Sequence, residues 1–228
     1  MKIGIIGSGM VGRAFALRLA ELGHDVVVGT RNVRATFNRT EPDAKGIPAW
    51  QYWAKDHPEI KLVTFTEAGK FADVIINATE GANSLRALTE AGEENLRGKI
   101  ILDLALPLSY SDDRPPHLSF ANDDSLGEQI QRTFTSSRVV KTLNTMSYSI
   151  MLDPSVLPGA HNAFMSGDSN HAKAVIVGLL AEFGWPEGSV IDLGNITTSR
   201  ATEMYATLLF QLSAIRGNYD FNIAVVEK

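Results

Sequence analysis

The stretch GSGMVG (7–12) sets glycines at the first, third and sixth positions of G-x-G-x-x-G. Those residue types at that spacing suit a backbone that turns sharply around an anion. Gly7 allows the tight turn, Gly9 lets a pyrophosphate approach the main chain, and Gly12 lets the following helix pack closely on the preceding strand. Ser8, Met10 and Val11 complete the loop, and the free amides that open the helix carry a partial positive charge toward the phosphates. A dinucleotide is the ligand this pattern fits, provided a strand precedes it and a helix follows.

A second cluster lies at the end of the next apolar run, VVVGTRNVR (26–34). A site for NAD normally carries Asp or Glu there, to bind the ribose hydroxyls. This chain has Thr30, Arg31 and Arg34 instead. A carboxylate repels a 2′-phosphate, whereas a hydroxyl and a guanidinium fork bind one. The expected cofactor is therefore NADP(H).

These residues need a scaffold, and the pattern supplies one. KIGIIG (2–7) reads as a buried strand, and Val11, Phe15, Leu19 and Leu22 mark one face of a helix that Gly23 stops. DVVVG (25–29) is a second strand. Further strand-like runs follow at 61–65, 73–79, 99–105, 138–145, 162–167 and 189–194. Helices are expected at 125–134, with Ser125 and Glu128 at capping-box spacing, at 169–184, and at 199–218, this last one largely buried. Alternating strands and helices predict an α/β fold, a Rossmann-type doubly wound and mostly parallel sheet with a small C-terminal helical extension. The expected division is a nucleotide-binding domain over 1–150 and a smaller unit over 151–228 that packs on it and helps form the acceptor site. Segments 38–60 and 106–124 read as irregular, with Trp50 and Trp53 either packing against the core, the safer reading, or stacking on adenine.

Bulk composition narrows the class. The chain has 228 residues, 44% hydrophobic and 21% charged, with a formal charge of −5 and no cysteine. Disulfides and thiolate chemistry are excluded, and an acidic balance argues against nucleic acid. The longest apolar run, 174–181, is too short to span a bilayer. The reading is a cytoplasmic protein with small-molecule partners. The apolar last helix and FNIAVV (221–226) leave room for a homodimer.

Taken together, IGIIGSGMVGRAFALRLAELGHDVVVGTR (3–31), VVKTLNT (139–145), FMSGDSNHAKAVIVGLL (164–180) and DLGNITTSRATEMYATLLFQL (192–212) resemble the F420-dependent NADP oxidoreductases, and also the reductase domain of the STEAP metalloreductases. The resemblance implies hydride transfer between NADP(H) and a stacked acceptor, either F420 or a flavin (FAD or FMN). It also implies that strand ends frame the nicotinamide, here Thr79 and Glu80, Ala105 to Pro107, and Asn144, Thr145 and Met146. The chain departs from the family pattern at TEGANS (79–84), where F420 enzymes tend to have an apolar, proline-containing turn, and at Asn144, where they can carry His.

Direct hydride transfer needs orientation and water exclusion rather than a catalytic triad. No metal site is expected, since His24, His57, His117, His161 and His171 are scattered. His117 is the best remaining proton donor. Glu80 either binds a ribose or caps a helix near Ser84, Asp103 reads as structural, and Arg200 and Glu203 have the spacing of an i,i+3 ion pair. Two other readings stay open: an NADPH-binding sensor without turnover, and a reductase of a small carbonyl or imine.

Overall fold

The computed structural model describes residues 1–43, 46–111 and 114–228, the side chain of Arg114 aside. The chain opens with β1 (Lys2–Ile6), α1 (Met10–Glu21) and β2 (Asp25–Thr30), followed by α2 (Val33–Asn38), α3 (Trp50–Asp56) and β3 (Lys61–Thr64). Next come α4 (Phe65–Phe71), β4 (Val74–Asn77), α5 (Gly81–Ala91), α6 (Glu93–Leu96) and β5 (Ile100–Asp103). A hairpin of β6 (Leu108–Ser111) and β7 (Arg114–Leu118) leads into α7 (Leu126–Thr133), β8 (Arg138–Thr142) and α8 (Tyr148–Leu152). The last elements are β9 (Ala163–Ser166), α9 (Asn170–Glu182), β10 (Val190–Asp192) and α10 (Ser199–Arg216).

One eight-stranded sheet runs β10-β9-β8-β5-β4-β1-β2-β3. Its pairings are parallel except β8 with β9. Strand order reverses between β1 and β4, which opens a crevice at their carboxyl ends where such folds bind ligands. β9 and β10 lie beyond residue 150, yet they extend the same sheet.

Alternation along the strands builds two cores. Val26 and Val28 of β2 join Phe15 and Leu19 of α1 and Ile176 and Leu179 of α9 on one face. Val27 points the other way, to Ala68 of α4, Leu88 of α5 and Ile130 of α7. Each such fully buried large aliphatic or aromatic side chain contributes about 1.5–3 kcal/mol. Helix starts are fixed locally: Thr64 and Glu67 form a reciprocal capping box on α4, and Ser169 accepts from the Ala172 amide to open α9.

Three expectations are corrected. Segment 38–60 is not irregular throughout, because Trp50 buries against the core and carries a helical turn pair with it; its ring lies 4.8 Å from that of Trp53. Segment 106–124 contains the β6–β7 hairpin, in which Leu108 pairs with Leu118 and Ser109 with His117. Helix α10 buries only the stripe Ser199, Thr202, Glu203, Ala206, Leu209 and Ser213, while Leu208 and Ile215 are exposed, because it packs on α7 and β7 along one side. Among the described residues no helix is long and apolar enough to cross a membrane, and no group of three or more His, Asp or Glu is arranged to hold a metal ion.

Candidate functional site

The glycine turn has the shape a dinucleotide needs. Gly7 sits at φ +123°, a backbone open to few other residues. A Cβ on Gly12 would lie 1.9 Å from the Gly7 carbonyl oxygen, so α1 rests directly on the turn. A Cβ on Gly9 would meet nothing within 4 Å, leaving open space where a pyrophosphate would approach. Gly9 is also the N-cap of α1 and offers no side-chain cap, so the first amides of the helix depend on a ligand or solvent. Gly9 and Met10 are exposed, while Ser8 and Val11 are half-buried.

At the end of β2, Thr30 is buried and its hydroxyl lies 2.8 Å from that of Thr36. Arg31 and Arg34 are exposed, and neither forms an ion pair or hydrogen bond among the described residues. Asn32 between them accepts from the Ala35 amide and so starts α2. Two cations thus flank a helix start, one turn from the carboxyl end of the sheet.

Deeper in the crevice the strand ends are tied by a buried polar chain. Asn77, at the end of β4, donates to Asp103 Oδ1 at 2.8 Å and to Ser84 Oγ at 3.0 Å. Thr79 donates to Asn77 Oδ1 at 2.8 Å, so the polar TEGANS turn satisfies the amide beneath it. Asp103 also holds Lys141 of β8, whose Nζ lies 2.8 Å from Asp103 Oδ2 and 2.9 Å from Glu203 Oε1 and donates to the Ala105 carbonyl. Burial alone would push the Lys141 ammonium down; the two carboxylates outweigh it and hold the group above the ordinary lysine range. Glu203 in turn accepts from the amides of Leu126 and Gly127 at 2.8 and 3.0 Å, where the positive end of α7 offsets the surplus negative charge.

The expected Arg200–Glu203 pair is therefore not formed. Arg200 reaches across to Glu128 Oε1 at 2.6 Å, and Glu203 turns inward to Lys141. Asp103 is structural, as its position suggested. Glu80 occupies the N-cap position of α5, which begins at Gly81, but its side chain makes no capping hydrogen bond. A Cβ on Gly81 would lie 2.1 Å from the Leu106 carbonyl oxygen, so the 79–84 turn rests against the 105–107 segment, with Ala105 and Pro107 both buried.

The end of β8 carries a polar surplus. Leu143 takes φ +63°, unusual for a branched residue, and the chain turns there into Asn144 and Thr145. Both are about 2% exposed, yet Asn144 Nδ2 and Oδ1 and Thr145 Oγ1 have no hydrogen-bond partner among the described residues. Buried groups of this kind ordinarily have partners. A carboxamide and a ribose, with donors and acceptors of both kinds, would meet them. The tail adds Asn222, whose Nδ2 lies 2.9 Å from His161 Nδ1 and 3.8 Å from Met146 Sδ, with Oδ1 buried and unmatched. His117 lies in the hairpin strand β7, opposite Ser109.

Lys141, Asn77, Ser84 and Asn222 were not singled out by their types or spacing. For Lys141 a signal existed, a lone cation inside the apolar strand run RVVKT.

Comparison with known proteins agrees with this geometry. The family described as "NADP oxidoreductase coenzyme F420-dependent" matches residues 2–107. The chain is 28% identical over 215 residues to an F420-dependent NADP reductase of Methanocaldococcus jannaschii, covering 93% of this chain and 92% of that protein. It is 26% identical over 203 residues to metalloreductase STEAP3 of Rattus norvegicus, covering 89% of this chain but 36% of that protein. The crystal structure of a candidate F420-dependent NADP reductase from Arthrobacter sp. FB24 superposes with a TM-score of 0.93 at 46% identity, covering 100% of both chains. With its glycine turn, crevice and strand order, this chain belongs to the F420-dependent NADP reductase family.

Proposed function

We propose that this protein, an NADP-dependent oxidoreductase, transfers a hydride between NADP(H) and coenzyme F420. The observation that carries the reading is the buried, unmatched polar edge of Asn144 and Thr145 at the carboxyl end of β8, on the same sheet as a glycine turn shaped for a pyrophosphate. Family membership supports F420 as the acceptor. When bound, the pair would supply two-electron chemistry, a hydride passing from the nicotinamide of NADPH to F420 and the accompanying proton coming from solvent.

The chain's own part is binding, orientation and exclusion of water. Ser8, Gly9 and the first amides of α1 would hold the pyrophosphate. Arg31 and Arg34 would hold the 2′-phosphate, with Thr30 fixing the backbone beneath them through Thr36. Thr79, Glu80, Ala105, Pro107, Asn144 and Thr145 would frame the nicotinamide. The Asn77–Asp103–Lys141–Glu203 chain ties those strand ends together beneath the site through buried contacts that need no ligand.

The test is anaerobic mixing of the protein with NADPH and oxidised F420. Loss of the F420 absorbance at a rate that rises with protein concentration is the expected result. NADPH binding without bleaching would overturn the reading. A flavin acceptor is the second reading, favoured by the polar TEGANS turn and Asn144, and it predicts that FMN or FAD is reduced in the same assay while F420 is not.

A further inference from the structure

Arg13 lies one turn into α1 and is 5% exposed. Its Nε donates to the Ser8 carbonyl at 2.9 Å, and its Nη1 donates to the Pro48 carbonyl at 2.8 Å. The guanidinium carbon lies 5.3 Å from the centre of the Trp50 ring and 5.8 Å from that of Trp53. Among the described residues no carboxylate comes within ion-pair distance of it, whereas the buried ammonium groups of Lys141 and Lys173 both have one. Burial holds the Arg13 guanidinium below the ordinary arginine range; the charge of Arg39 acts the same way, and Asp43 opposes them.

A buried cation ordinarily has an anionic partner, because two carbonyls and two ring faces replace only part of the hydration it loses. The atom that Arg13 grips belongs to the glycine turn itself. Ser8 precedes Gly9, the residue over which the space for a pyrophosphate opens. The missing counter-charge and the expected anion therefore lie at the same turn.

We propose that Arg13 is a positioning residue for the pyrophosphate of NADP(H): it fixes the Ser8–Gly9 turn from behind, and the bound diphosphate is the counter-ion that its burial lacks. The proposal rests on the NADP(H) reading above. It adds a residue outside the G-x-G-x-x-G positions and ties the Trp50–Trp53 helix to the phosphate loop through Pro48.

Calorimetric titration with NADP⁺ and with 2′-AMP tests it, since 2′-AMP carries the 2′-phosphate but no pyrophosphate. Arg13→Gln is expected to weaken NADP⁺ by about 10- to 100-fold, the range of one charge-assisted contact. Its affinity for 2′-AMP is expected to stay within about 2-fold, which a general loosening of the cofactor site would not allow. Arg13→Lys keeps the charge but cannot bridge Ser8 and Pro48 with one fork, and should fall between wild type and Arg13→Gln. Should Arg13→Gln fail to fold, Arg13→Lys decides by the same two ligands. Unchanged NADP⁺ affinity, or a parallel loss for both ligands, overturns the proposal. A wild-type protein that binds neither ligand overturns the NADP(H) reading, and this inference with it.

Discussion

Lys141 Nζ lies 2.8 Å from Asp103 Oδ2 with neither side chain exposed, and Glu203 closes the group from the last helix. One cation thus fastens β8 to β5 and both to α10, under the carbonyl of Ala105. Lys141→Met would leave two carboxylates buried without their partner, and the expected loss is about 3–5 kcal/mol in urea unfolding. The alkaline limb follows from the same contact. Because the folded-state value of Lys141 is raised, its contribution is fully present below about pH 10.4, the unfolded lysine value, and is lost as pH climbs through the folded one. Wild-type stability should therefore show an alkaline loss that Lys141→Met lacks.

Asn144 sets stability against function. Its two amide atoms are buried without partners, a cost of about 1–3 kcal/mol in the unliganded protein. Asn144→Leu is expected to raise the melting temperature of the free protein. It should also lower kcat/KM for NADPH by about 10-fold or more, as an edge built for hydrogen bonds becomes apolar. A variant both less stable and fully active would contradict this assignment.

Arg31 is expected to read the 2′-phosphate. Removal of one charge-assisted contact costs about 1.5–3 kcal/mol, so Arg31→Ala should weaken NADPH by about 10- to 100-fold and leave NADH affinity nearly unchanged. Fluorescence titration with both nucleotides measures the ratio directly.

The junction of α7 and α10 is expected to weaken in acid. The Arg200 guanidinium holds the Glu128 carboxyl below the usual range, and Arg132 holds Asp124 well below it. Depressed carboxyls stabilise the fold above their unfolded values near pH 4 and lose that contribution as pH falls through the folded ones. Glu128→Gln is expected to flatten the acid limb of the stability profile below about pH 4.5, measured by thermal unfolding across pH.

Much of this molecule was legible in its sequence because the physics is local. Parallel strands buried on both faces read as apolar runs, and the turn GSGMVG carries its geometry in three glycines. The hairpin was hidden by Pro107, Pro115 and Pro116, which argue against strands yet are tolerated in a two-stranded ribbon outside the main sheet. Helix α3 was masked by prolines at 42, 48 and 58 that border it without entering it. In the site, phosphate-binding candidates follow from local spacing. The Lys141 group joins residues from β5, β8 and α10, and no short-range pattern brings those together. The spacing of Arg200 and Glu203 suggested a pair on one helix, but a buried ammonium offers Glu203 a stronger partner than a half-buried guanidinium does.

Direct hydride transfer from NADPH to F420 is the central claim, and isotopic labelling tests it most closely. NADPH deuterated on the transferring face of the reactive nicotinamide carbon, mixed anaerobically with oxidised F420 and the protein in ordinary water, should give reduced F420 that carries the deuterium, with a slower single-turnover rate than unlabelled NADPH. Reduced F420 without deuterium, or no reduction while NADPH remains bound, would contradict the account.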